Sequence, residues 1–257
     1  MKNLLIILFI LLTNIYVQAQ IVHKPIPDKL VVLSFDDGPV SHATFVAPLL
    51  KKYGFGATFF VCEFPPDFAD KTKYMSWQQM KQLDEMGFEV ANHTRNHVNL
   101  SKMDKRKFNE ELGYIEDTCK ALQIKTPLVS FAYPGYGTAP PALPVLKERG
   151  YLFARTGGNR AYDPEKDHPY LIPSFTMTDS NKAEIKGAFQ LARNGKILVL
   201  TIHGVPDLPH PWVNTQPALF EEYVKFLYDN HFKVIALREL ASYINVEKAM
   251  TEINPQF

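Results

Sequence analysis

Four short segments carry residue types able to hold a metal ion and to move protons, and each lies at the downstream end of an apolar run. They are Ser34-Phe35-Asp36-Asp37-Gly38-Pro39 after Leu30-Val31-Val32-Leu33, and Asn92-His93-Thr94-Arg95-Asn96-His97 after Phe88-Glu89-Val90-Ala91. The others are Phe131-Ala132-Tyr133-Pro134-Gly135-Tyr136-Gly137 after Leu128-Val129-Ser130, and Ile202-His203-Gly204 after Ile197-Leu198-Val199-Leu200-Thr201. Strands that all end in polar chemistry describe an α/β barrel with its active site at the carboxyl face. A carboxylate pair, two histidines four residues apart and one further histidine make a metal-dependent hydrolase.

Asp36 and Asp37 are expected to take different roles, because successive strand side chains point to opposite sides and a Gly-Pro turn re-aims the second. Their alternative is a turn that caps the next helix. His93 and His97 face one side if that stretch turns helically. Two neutral imidazoles and one carboxylate then leave coordination positions open for water and substrate. His203 ends an apolar, β-branched strand, where a satisfied core residue is the alternative; its place at the same face suits it to protonate a leaving group. His23, His42, His168, His210 and His231 lie in polar or turn-like settings and read as surface residues.

Apolar strand-like runs alternate with helical patterns from about residue 30 to about 245, as in a wound parallel sheet. Helices are predicted over His42–Tyr53, closed by Gly54, and from Ser76, whose spacing to Gln79 is that of a capping box, to Gly87. A third has the apolar face Phe108, Leu112, Ile115, Cys119 and Leu122. Further helices are predicted over Pro141–Glu148 and Ala183–Arg193 and on the Leu219, Phe220, Tyr223, Phe226 and Leu227 face. Strands end at Val61, Arg155 and Ala236 besides those already named. About seven or eight strands support a distorted, incomplete (β/α) barrel of about seven strands over an open two-layer sheet.

The first 19 residues read as an export signal: Lys2, an apolar run from Leu4 to Leu12, and Val17-Gln18-Ala19 before Gln20. Residues 20–257 then form a single domain of an exported, periplasmic or secreted protein with no membrane span expected. With 28 basic and 27 acidic residues the net charge is +1, which gives no long-range field for nucleic acid or an anionic membrane. Cys62 follows a strand near the carboxyl face and Cys119 lies towards the opposite end of a helix, so no disulfide is expected.

These residues resemble the polysaccharide deacetylases, the NodB-homology or family 4 carbohydrate esterases. The likeness rests on Ser34-Phe35-Asp36-Asp37-Gly38, His93-Thr94-Arg95-Asn96-His97 and Leu200-Thr201-Ile202-His203, with the flanks Ala57-Thr58-Phe59-Phe60-Val61 and Gly87-Phe88-Glu89-Val90-Ala91. It runs over about residues 29 to 242. The resemblance implies Asp36 as catalytic base, Asp37, His93 and His97 as metal ligands and His203 as general acid. Two positions depart from the family pattern. Ala132 stands where the third motif usually has arginine, with Arg155 at the end of the next strand as a geometric substitute. The fourth motif has no clear counterpart, and Asp179 is suggested by position alone.

The activity implied is removal of acetyl groups from N-acetylated sugars of a poly- or oligosaccharide by a monomer. The alternatives are an O-acetyl (xylan-type) esterase and an impaired glycan-binding pseudoenzyme. A divalent transition metal, zinc by its ligands with cobalt, nickel or iron as alternatives, would lower the pKa of bound water towards about 7. A backbone N–H near Tyr136, in the turn opened by Pro134, is the expected oxyanion donor. Trp212, Tyr136 and the aromatics from Phe64 to Tyr74 are expected on carboxyl-face loops, where rings stack on sugars or pack locally.

Overall fold

The computed structural model describes residues 20–208 and 210–257; the expected leader lies outside the described residues. Strand β1 (Leu30–Phe35) is buried along its whole length. A π-helical turn at His42–Val46 leads into α1 (Ala47–Tyr53), and Gly54 ends it at φ 69°, its N–H reaching the Leu50 and Lys51 carbonyls. Only glycine takes that left-handed conformation without cost. Strand β2 (Thr58–Val61) follows, then α2 (Trp77–Glu85), which begins with the expected capping box: Ser76 Oγ accepts the Gln79 N–H, and Gln79 Oε1 accepts the Ser76 N–H.

Strand β3 (Glu89–Asn92) precedes α3 (Lys105–Ala121), which buries Phe108, Leu112, Ile115 and Cys119 as its periodicity predicts. The chain continues through β4 (Ser130–Ala132), α4 (Ala142–Glu148), β5 (Phe153–Arg155), β6 (Phe175–Met177) and α5 (Lys182–Ala188). It ends with β7 (Leu198–Ile202), α6 (Pro217–Asp229), β8 (Lys233–Ile235) and α7 (Val246–Glu252). The last helix was not predicted from its short pattern.

All strand pairs are parallel, in the order β5-β4-β3-β2-β1-β7-β6, and β8 joins β1 off that path. The lower half of β1 pairs with β8 (Leu30 opposite Lys233) and its upper half with β2 (Ser34 opposite Thr58). Between β5 and β6 the ring is closed only by loop backbone: Thr156 N–H donates to Ile172 O and Ile172 N–H to Ala154 O. This is the curled, incomplete (β/α) barrel expected.

Strand alternation sorts the side chains. Val31, Leu33, Phe35, Phe59, Val61 and Val90 pack outward beneath the helices, while Leu30, Val32, Phe60, Ala91, Ala132 and Phe153 fill the interior. Both faces are buried, so the strands are apolar without a polar face. Towards the carboxyl ends the interior turns polar with Ser34, Thr201 and Arg155, all fully buried. A barrel interior that changes from apolar to polar along its axis has its chemistry at one end.

Two expectations fail here. His42 and His168, read as surface residues, are buried: His42 packs against the rings of Phe35 and Phe59, and His168 Nδ1 accepts the Tyr170 N–H. Their polar sequence neighbours belong to turns that fold back onto the sheet. His23 and His231 are exposed, and both cysteines are free thiols. Among the described residues no helix is long and apolar enough to cross a membrane. Ser76→Ala is expected to cost about 1 kcal/mol by removing the α2 cap, and Ser76→Gly only a few tenths. Urea unfolding midpoints measure the difference.

Candidate active site

Asp36 continues the inward alternation of β1, its N–H bonded to Ile202 O at 2.9 Å. Asp37 has φ +73° and Gly38 +67°, so the backbone turns left-handed and swings the second carboxylate away from the first. Aspartate is among the few side chains that tolerate this conformation. Arg155 reaches across the interior and places Nη2 2.6 Å and 2.5 Å from the two Asp36 oxygens. Its guanidinium lies between the rings of Phe60 and Tyr136, each 5.4 Å away. Ala132 is the register partner of Arg155 on the neighbouring strand. The cation therefore stands one strand over from the position the sequence leaves empty.

The histidine segment is a loop, so the helical condition for bringing the two rings together is not met: Thr94 (φ +63°) and His97 (φ +50°) are left-handed, and no helix is formed. The reason lies in the side chains that seize its backbone. Asn92 Oδ1 accepts the Thr94 N–H, Glu111 accepts the N–H and Nδ2 of Asn96, and Arg95 O accepts the Glu63 N–H. The imidazoles still meet, with ring centroids 4.8 Å apart. His93 Nδ1 faces Ala132 O at 2.8 Å, which aims Nε2 at Asp37 Oδ1, 3.3 Å away. His97 Nε2 lies 3.3 Å from the same oxygen.

Asp37, His93 and His97 offer three ligand atoms within 4.8 Å of one another. Asp37 Oδ1 is buried without a hydrogen-bond partner, an arrangement that costs energy unless a cation or proton is shared there. Burial works against the charge on Asp37, but His93, His97 and His203 outweigh it and hold the carboxyl below its ordinary range. Burial pushes His97 down to about 4, keeping it a neutral donor. Burial also disfavours charge on His93, yet Asp36 and Asp37 raise its affinity for a proton. One carboxylate and two imidazoles on one point fit a divalent transition metal.

His203 follows β7 and lies with Nε2 3.8 Å from Asp37 Oδ2. Its carbonyl accepts from His42 Nε2 at 2.9 Å, and burial pushes His42 down to about 4, so a neutral ring supports the strand end from below. A Cβ at Gly204 would lie 2.5 Å from Asp207 Cα, which makes glycine obligatory beside His203. Asp207 is buried and accepts the Gly204 N–H. Asp179 is not a partner of His203: it is exposed and accepts from Asn214 Nδ2 and the Gln216 N–H, so it ties down the following turn.

The cavity around these groups measures about 500 Å³ and is lined by both aspartates, the three histidines and Tyr136, with Phe64, Thr176, His210 and Trp212 towards the mouth. A larger depression of about 770 Å³ lies at the other end of the strands, between Gly56, Gly87 and Ile235. It holds none of the groups just described. Tyr136 lines the wall, and its N–H donates to Tyr133 O within the turn that Pro134 opens. Tyr136 Oη is bonded to Thr176, and its ring lies against Gly157. Pro134 is buried behind the wall. Trp212 is exposed at the rim, and His210, read as a surface residue, faces the cavity because its loop folds over the strand ends.

The chain matches the polysaccharide deacetylase family over residues 23–154. It belongs to that family. It is 32% identical over 130 residues to a peptidoglycan-N-acetylglucosamine deacetylase of Bacillus cereus, covering 49% of this chain and 56% of that protein. It is 32% identical over 92 residues to a bifunctional xylanase/deacetylase of Pseudobutyrivibrio xylanivorans, covering 36% of this chain and 14% of that protein. The chain thus spans about half, or less, of the length of these curated relatives. The Xyl-CE4 domain of a multidomain xylanase from the hindgut metagenome of Trinervitermes trinervoides shares the fold, with TM-score 0.58, 19% identity, and 90% and 95% of the two chains covered.

Glu63, Asn92 and Glu111 were missed in the sequence. Glu111 carried a signal, as a carboxylate beside the apolar face of α3; Glu63 carried none, although it also accepts from Trp77 Nε1 and Tyr114 Oη. Zinc at a hundred times its dissociation constant is expected to add about 2.7 kcal/mol to folding stability. Wild type should therefore melt roughly 5–10 °C higher with zinc, and His93→Ala should show no shift. Glu111→Gln should weaken zinc binding about tenfold by loosening the loop. Scanning calorimetry with zinc titration reads both; a wild type that ignores zinc would sink the ligand assignment.

Proposed function

We propose that this polysaccharide deacetylase family member is an exported, metal-dependent hydrolase that removes acetyl groups from N-acetylated sugars of a poly- or oligosaccharide. The observation that carries the reading is that Asp36 against Arg155, the Asp37, His93 and His97 cluster, and His203 converge on one cavity at the carboxyl ends of β1, β3 and β7. Charge near neutrality agrees with an acetylated glycan as partner and not nucleic acid. The apolar leader read at residues 1–19 supports a periplasmic or secreted location, with the remainder acting as one monomeric domain.

A divalent transition metal held by Asp37, His93 and His97, with zinc favoured over cobalt, nickel or iron, supplies Lewis acidity towards water and the acetyl carbonyl. Asp36 takes the proton of the attacking water, and Arg155 holds its carboxylate in one orientation. The carbonyl carbon gains the water oxygen as its bond to the sugar nitrogen breaks. His203 delivers a proton to that nitrogen, which an amide requires because an unprotonated amine leaves poorly. Acetate and a free amino sugar result. Tyr136 shapes the wall beside the acetyl group, and its ring packs on the Arg155 guanidinium that orients Asp36.

An O-acetyl esterase on xylan-type glycans is the second reading, favoured by the likeness to a bifunctional xylanase/deacetylase. A glycan-binding pseudoenzyme is disfavoured, because the cation missing at Ala132 is supplied by Arg155. Acetate release from N-acetylated chito-oligosaccharides and from acetylated xylan, each with and without chelator, separates the three. Chelator-sensitive release from the amide substrate is expected. Asp36→Asn should keep its metal and lose about a hundredfold or more in turnover. Failure of wild type to release acetate from any substrate would overturn the proposal.

The register of Ala132 with Arg155 gives a separate prediction. Arg155→Ala should lower turnover on the order of 100-fold through a misplaced Asp36. Adding Ala132→Arg should restore at least tenfold of that loss, since Ala132 is the register partner of Arg155 and its side chain lies in the barrel interior. Steady-state rates of the single and double variants, with melting temperatures as the control for folding, decide it. A double variant that folds yet is no faster would show that the positions are not interchangeable.

A further inference from the structure

The loop after His203 holds a second histidine–carboxylate pair that the deacetylation chemistry does not use. Asp207 has a fully buried side chain, and its carboxylate accepts the Gly204 N–H and the His210 N–H, each at 2.9 Å, and faces His210 Nδ1 at 3.2 Å. Its own N–H donates to Asn214 Oδ1 at 2.7 Å, and Asn214 is in turn bonded to Asp179. A carboxylate is costly to bury, and a turn alone does not require one. Here it fixes the plane and rotation of an imidazole at the mouth of the cavity. With Nδ1 turned to the Asp207 carboxylate, Nε2 is the ring nitrogen left to form a hydrogen bond on the other side.

What surrounds that nitrogen has the character of a sugar shelf. Among the described residues its partner is Tyr74 Oη, at 3.4 Å, a long contact that a better partner can replace. The His210 ring stands 5.7 Å from Phe64 and 5.4 Å from Trp212, and Trp212 is 72% exposed. Phe64 lies in turn 4.5 Å from His97, so the shelf is one aromatic ring beyond the metal-ligand cluster. Aromatic rings with one directed hydrogen-bonding nitrogen match a pyranose, which has an apolar face and a rim of hydroxyls able to donate or accept.

We propose that His210, Phe64 and Trp212 form a second saccharide subsite, in which His210 hydrogen-bonds the sugar unit adjoining the acetylated one while Phe64 and Trp212 receive its apolar face. Asp207 is a positioning residue acting through His210. The proposal rests on the deacetylase reading for the identity of the chain that threads the cavity. It makes the protein a reader of oligomers, with affinity rising as the chain grows long enough to reach the loop.

The test measures binding of tetra-N-acetylchitotetraose by calorimetry in an Asp36→Asn background, which stops turnover, and kcat/KM in the active enzyme for the tetramer and for an aryl acetate. His210→Ala should weaken tetramer binding tenfold or more, and His210→Gln, which keeps a hydrogen-bonding group, by clearly less. In the active enzyme the loss on the tetramer should exceed the loss on the aryl acetate at least tenfold and fall mainly in KM. Equal losses on both substrates would mark His210 as structural and overturn the proposal, as would an Asp36→Asn protein whose tetramer binding ignores His210. His210-dependent binding with no acetate released from any substrate would sustain the subsite and sink the deacetylase reading instead.

Discussion

A single buried ion pair constrains the whole sheet. Asp36 leaves β1 and Arg155 leaves β5, four places apart in strand order, yet their charged atoms are 2.5–2.6 Å apart. A flat sheet with strands spaced about 4.8 Å would hold them well out of reach. Contact demands that the sheet curl until the two side chains meet across its interior. An unpaired charge in that interior would be strongly destabilising, so curvature and charge pairing enforce each other. The open ring between β5 and β6 follows, because the curl that satisfies the pair leaves only loop backbone to complete the circle.

The support of the metal-ligand loop shows how little helical geometry matters to a pair of histidines four apart. Left-handed turns at Thr94 and His97 bring the rings together as a helix would, but they leave N–H groups that must be satisfied from outside. Glu111 from α3 and Asn92 from β3 do that, while Glu63 gathers Arg95, Trp77 and Tyr114 on the other side. Ligand geometry is thus inherited from two packed elements, and the rigidity of the site is the rigidity of the barrel wall.

Most of the fold was legible because strands buried on both faces are continuous apolar runs, and each ended in a residue type that a strand interior would reject. Asp36, Asp37, His93, His97 and His203 could be grouped on that ground before any coordinates. His42 and His210 could not. Both sit in polar, turn-like sequence, and such composition is the same whether a turn faces solvent or folds back across the strand ends. The backbone of residues 93–97 stayed open for a related reason: spacing records which side chains can meet and not which backbone brings them there. Arg155 was accessible only as a lateral neighbour of Ala132, since its reach to Asp36 depends on a curvature that local pattern does not encode.

Strand β1 is hydrogen-bonded along both edges, to β7 on one side and to β8 and then β2 on the other. Its amides can therefore exchange with solvent only when neighbouring strands separate, which ties them to the largest openings of the molecule. The carboxylate pair rides on this slowest-breathing segment. Asp207 and His210 are joined to the body instead through side-chain bonds, Asp207 to the Gly204 N–H and to Asn214, and Asn214 to Asp179. Reaction geometry thus rests on the sheet ladder, and the imidazole beside the cavity on a chain of side-chain contacts that the ladder does not share.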